Sequence, residues 1–146
     1  MDDLARAVGD SFSSINWFGV VMAAVATFAI SAIWYHEKVF GKSWMKAVGL
    51  HIRDIEDANM TRIFSGSFMV MVLAAVAMDV LAQLLQVNSW REGALLGGLV
   101  GLFFVSTAMM NTYLFAQRNA NLVAIDTFYQ IVNFITIGLI IGAWQA

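Results

Sequence analysis

Cysteine and proline are both absent from this chain of 146 residues. Without a thiol there is no disulfide, no thiolate nucleophile, no iron–sulfur cluster and no cysteine-ligated zinc or haem. Without proline, no helix is kinked by a missing N–H and a clashing ring. Charge is scarce as well. Only 12% of the residues are charged, against about 25% in soluble domains, whose surface must face water. The net charge of −2 favours no partner, and no basic run with interleaved aromatics points to nucleic acid. Catalytic fingerprints are missing too. The "HEK" at 36–38 lacks the second histidine of a zinc-binding His-Glu-x-x-His helix, and His51 lies in the loop beyond it. There is no Gly-x-Ser-x-Gly, P-loop or dinucleotide motif, and "SGS" at 65–67 reads as a helix cap. The expectation is a protein that is not an enzyme and carries neither metal nor cofactor.

What the chain has is apolar residues in long blocks. They make up 60% of it, and its mean hydropathy is +0.74. Residues 16–35, 64–87, 93–115 and 122–144 each supply the roughly 20 mostly apolar residues that a helical membrane span needs. The short links "NSWRE" and "AQRNAN" force antiparallel neighbours. The fold class is therefore all-α: an up-and-down bundle of four transmembrane helices, with residues 1–146 forming a single integral membrane domain. The start, "MDDLARAVGDSFSS", lacks the basic n-region of a signal peptide, so the first span reads as an uncleaved helix. Within that start Leu4, Val8 and Phe12 recur at helical spacing. They predict either a short helix on the membrane surface or a frayed terminus.

Orientation follows from the cations. Lys38, Lys42, Lys46, Arg53, Arg62 and Arg118 fall in two loops that must share a side, and only Arg6 and Arg91 lie opposite. The positive-inside rule then puts both termini outside a bacterial inner membrane and the 36–63 loop in the cytoplasm. Interfacial rings agree. Trp17, Trp90 and Trp144 mark the outer ends of spans, while Trp34, Tyr35, Trp44 and Tyr113 mark the inner ends. In the 36–63 loop, Lys38, Lys42 and Lys46 share one helical face and Trp44, Val48, Ile52 and Ile55 a neighbouring one. That pattern suits an amphipathic helix resting on an anionic leaflet, interrupted at Gly41 and Gly49; the competing reading is a docking site for another protein.

The stretch "AIWYHEKVFGKSWMKAVG", residues 32–49, resembles the signature of domain-of-unknown-function family 1761, small bacterial four-span membrane proteins. Trp34–Tyr35, Phe40–Gly41–Lys42 and Trp44 carry the resemblance. Gly97, Gly101, Asn111, Phe115, Gly138, Gly142 and Trp144 extend it along nearly the whole chain. The resemblance implies a fold and a membrane location. It implies no activity, substrate or catalytic residue.

The spans themselves hold a few polar residues. An Asp at a helix centre costs about 2.5–3.5 kcal/mol to insert, so it is expected to face protein or a wet cavity. Asp79, Gln83 and Gln86 form one stripe on the second span; Asp126, Gln130 and Asn133 form one on the fourth; Thr107 and Asn111 share a face of the third. Counting back from Gln86 places Asp79 about 10 Å below the outer end of its span. Matching depths predicts an interior polar seam, with Asp79 beside Asn133 and Asp126 beside Asn111 and Thr107, and with His36 and Glu37 at its mouth. Gly93, Gly97 and Gly101, with Ala108 farther along, form a small-residue face for close helix packing, against either this chain or a second copy. Two functions fit. The favoured one is a non-catalytic membrane protein, a homo-oligomer or an accessory subunit of a larger complex, whose polar residues hold helices together. The alternative is a small oligomeric transporter or channel that moves protons, ions or a small polar solute along the seam, with Asp79 at its centre.

Overall fold

The structure, a computed structural model, describes residues 2–51, 53, 54 and 58–145. It is all-helical among those residues. Helix α1 covers Asp2–Ser13 and α2 covers Trp17–Trp34. A π-helical turn at Glu37–Gly41 leads into the short helix α3, Lys42–Val48, which stops at Gly49 with φ of 83°. There the left-handed backbone, easy for glycine, lets the chain turn off the helix. Ile52 and Ile55, expected on the apolar face of this loop, lie outside the described residues. Three long helices follow: α4, Met60–Leu84; α5, Trp90–Phe115; and α6, Ala120–Trp144. Helices α2, α4, α5 and α6 are long and apolar enough to cross a membrane. This is a multi-pass membrane protein built as a four-helix bundle.

Each span starts on a side chain that satisfies orphan backbone donors, the usual work of Asn and Ser at a helix entry. Asn16 accepts from the Gly19 N–H, Asn59 from Arg62, Ser89 from Glu92 and Asn119 from Asn121. The second span therefore begins at Asn59. Ser65, Gly66 and Ser67 are helical and exposed, and do not form the cap expected of "SGS".

Helix α6 is the hub and touches α2, α3, α4 and α5. The apolar core sits between α2, α4 and α6, where Val20, Ala23, Ala75, Met78, Ala82, Ile137 and Ile141 are sealed from the surface. Between α5 and α6 there is almost no side chain at all. A Cβ placed on Gly93 would run into the Gly138 carbonyl, one on Gly97 into the Phe134 carbonyl, and one on Gly142 would approach Ser89. Lipid tails are as apolar as leucine, so membrane helices gain by such close backbone approach rather than by leaving water. The glycine face is thus occupied within the chain.

Helix α5 does not continue regularly past these glycines. Residues Gly101–Val105 form a π-helical turn. A π turn inserts one extra residue, which re-aims everything beyond it by about 100°. The buried positions of α5 accordingly run Gly93, Gly97, Gly101 and then, after five residues, Ser106. The Ser106 hydroxyl donates to the Gly101 carbonyl at 2.7 Å across the turn. This corrects the sequence reading in two places. Ala108 does not continue the glycine face, and Thr107 and Asn111 point outward on the exposed side of α5.

Candidate functional site

Two polar clusters stand at opposite ends of the bundle. At the end shared by both termini, Asp79 on α4 is fully buried. Its Oδ2 accepts from the Asn16 backbone N–H at 3.2 Å and from Gln83 Nε2, one turn along α4, at 2.8 Å. Its Oδ1 accepts from Gln145 Nε2 at 3.0 Å. Ser14 completes the layer, its hydroxyl donating to Gln83 Oε1 at 2.7 Å. One carboxylate thereby ties together the α1–α2 link, α4 and the first residue past α6. It also faces the amino end of α2, where unpaired N–H groups and the helix dipole favour negative charge.

No cation is needed in that layer, because amide donors take the cation's place. Counting back from Gln86 gives the distance of Asp79 from the end of α4, not its level in the bundle. Helix α4 overshoots its neighbours, α1 packs against the overshoot, and Asp79 lies level with the ends of α2 and α6. Gln86 is exposed in a left-handed turn (φ 54°) and leaves the stripe.

At the opposite end, Asp126 on α6 is 6% exposed. Its Oδ1 accepts from the Tyr35 hydroxyl at 2.9 Å and its Oδ2 from the Tyr113 hydroxyl at 2.8 Å. Burial, with the Asp126 charge beside it, pushes the Tyr35 phenol well above its ordinary pKa, so it stays a donor. One turn farther in, Tyr129 and Ser31 share a hydrogen bond between their hydroxyls. These contacts fix the antiparallel register of α2 and α6, and one more step brings Thr27 level with Asn133. Both are buried. Thr27 donates to its own helix at Ala23 and Ala24, each 3.0 Å away, while Asn133 has no partner for either its amide or its carbonyl group.

Rings close this cluster off from the loop side. Trp34 packs on Phe40 at 4.7 Å between centroids, and Tyr35 sits against Tyr129 at 5.0 Å and Trp44 at 5.2 Å. The indole N–H groups of Trp34 and Trp44 are buried without a protein acceptor. His36 and Glu37 are exposed beside it. His36 Nδ1 accepts the Lys38 N–H, and Glu37 pairs loosely with Lys42 at 3.8 Å.

The predicted single seam is therefore two clusters. Asp79 does not meet Asn133; between them lie Ala23, Ala75, Met78 and Ile137, all at most 1% exposed. Nor does Asp126 meet Asn111 or Thr107. The π turn swings those two outward, and Tyr113 reaches Asp126 instead. Gln130 is half-buried, its backbone carbonyl near Gly101. Of the residues expected as interfacial anchors, Trp17, Trp90 and Trp144 are exposed at the span ends, as are Lys38, Lys42 and Lys46 in the loop, whereas Trp34, Tyr35 and Trp44 are built into the Asp126 cluster. Sequence reasoning passed over Asn16, Ser31, Thr27, Tyr129 and Gln145. Thr27, Ser31 and Tyr35 recur every four residues, the same signal that marked the stripes on α4 and α6.

Four apolar helices, tied by carboxylate-centred layers at each end, define a multi-pass helical membrane protein. The family described as "Protein of unknown function (DUF1761)" matches residues 18–142, and the chain belongs to it. No curated protein and no solved structure matches the chain.

Proposed function

We propose that this chain is a non-catalytic protein of the bacterial inner membrane that works by assembly, as a homo-oligomer or as an accessory subunit of a larger membrane complex. The observation that carries this reading is Asn111. Its side chain is exposed on the outward face of a membrane-spanning helix, with no hydrogen-bond partner among the described residues. Amides that hydrogen-bond across helices are a recurrent means of association in membranes. Thr107 stands one turn away on the same face. The glycine face is already spent on α6, so association uses this surface instead.

Asp79 supports the same reading. Its carboxylate oxygens are engaged by neighbouring donors, as befits a tie between helices. Transport along Asp79 needs a continuous polar path, and the apolar layer of Ala23, Ala75, Met78 and Ile137 argues against one. In this reading the termini are outside and the 36–63 loop is cytoplasmic, with its lysines on the anionic leaflet.

Two variants test it. Asn111→Leu is expected to weaken association in nanodiscs about three-fold, the equivalent of about 0.6 kcal/mol for an interhelical hydrogen bond. Co-purification with native membrane partners should fall with it. Unchanged assembly would remove the reading's main support. Asp79→Asn is expected to lower stability by about 1–3 kcal/mol, because an amide now faces donors, while proton and ion flux in liposomes stays at background. Flux in the wild type that disappears in a folded Asp79→Asn variant would establish transport.

A further inference from the structure

Helices α5 and α6 touch backbone to backbone along Gly93–Gly101, and beyond the π turn they part. The opening is a groove of about 380 Å³ on the loop half of the bundle. Met110, Leu114, Ala124 and Phe128 form its walls, Arg118 stands at its mouth, and Thr127 lies within it. Two features set it apart from ordinary lipid-facing surface. The Arg118 guanidinium has no ion pair among the described residues, whose two pairs are Arg6–Asp3 and Lys42–Glu37. The Thr127 hydroxyl is buried and unpartnered, whereas Thr27, Thr107, Thr112 and Thr136 all turn theirs back onto their own helix.

The geometry points to a seat for one anionic phospholipid: phosphate on Arg118, an acyl chain between α5 and α6, and an ester carbonyl accepting from Thr127. Position and charge select this occupant. The groove lies within membrane-spanning segments, where acyl chains are the available filler. Thr127 lies seven residues into α6, about 10 Å from its start, below a phosphate held by an arginine that reaches down from the loop. The mouth opens on the face that also carries Lys38, Lys42, Lys46, Arg53 and Arg62, which concentrates anionic lipid there.

Native mass spectrometry of the full chain, released from micelles holding phosphatidylglycerol and phosphatidylcholine in equal amounts, tests the seat. The wild type is expected to retain one phosphatidylglycerol in preference to phosphatidylcholine, and inorganic phosphate should not displace it. Arg118→Gln is expected to retain it about five-fold less, the effect of one cation beside an anionic headgroup. Ala124→Phe fills the groove but keeps the guanidinium and should lose both lipids; Leu114→Trp, at a highly exposed position, does the same should the first variant fail to fold. Unaltered melting in neutral detergent checks that the fold is kept. Equal retention by wild type and Arg118→Gln overturns the proposal. So does retention that survives filling of the groove, or displacement by free phosphate.

Discussion

Asp79 and Asp126 are buried carboxylates satisfied in different ways, one by amide and backbone N–H donors and the other by two phenols. The phenol-bound one carries a pH signature. In the folded chain Tyr35 is held above its ordinary value of 10.0, and in the unfolded chain it returns to that value. Below pH 10 the phenol is protonated in both states and its bond to Asp126 contributes fully. As pH rises past 10 the unfolded phenol ionises while the folded one does not, so stability is drawn off. Unfolding followed in detergent is therefore expected to show a steeper loss of stability above pH 10 in the wild type than in Tyr35→Phe. At neutral pH that variant should be weaker by roughly 0.6–1.7 kcal/mol, the span for interhelical hydrogen bonds in membranes. A variant that reproduces the wild-type alkaline slope would mean that Tyr35 does not hold this position.

In α5 the spacing of buried positions changes after Gly101. Gly93, Gly97 and Gly101 are spaced by four, and their close approach to α6 agrees with that spacing. An inward face for Thr107 and Asn111 requires that the spacing continue, and a π turn has no reliable mark in composition. Deleting Phe104 restores a regular helix, turning Tyr113 away from Asp126. Tyr113→Phe should then cost stability in the wild-type background and nothing in the deletion background, a coupling that a double-mutant cycle measures. Additive effects would show that the turn does not set this contact. Similar blindness affected α4. Its length was legible from hydropathy, but its overshoot, which decides the level of Asp79, depends on where α2 and α6 stop.

For the molecule as a whole, the four spans and their antiparallel order were legible because hydrocarbon imposes a length and short links impose direction. The polar layers were half legible. The stripes on α4 and α6 were read from spacing, but their partners lie past helix ends, at Asn16 and Gln145, or on long phenol arms, where depth matching has no purchase. Sidedness is open to a direct check because the chain contains no cysteine. Ser43→Cys is expected to react with a membrane-impermeant maleimide only after the cytoplasmic side is exposed, and Asn88→Cys in intact spheroplasts. The reverse pattern would invert the orientation. The Asp79 layer also sets an order of events during biogenesis. Asn16 and Gln83 are available once two helices have entered the bilayer, but Gln145 arrives only behind the fourth. Until then the carboxylate lacks its last amide, and a half-inserted chain is held more loosely than a finished one.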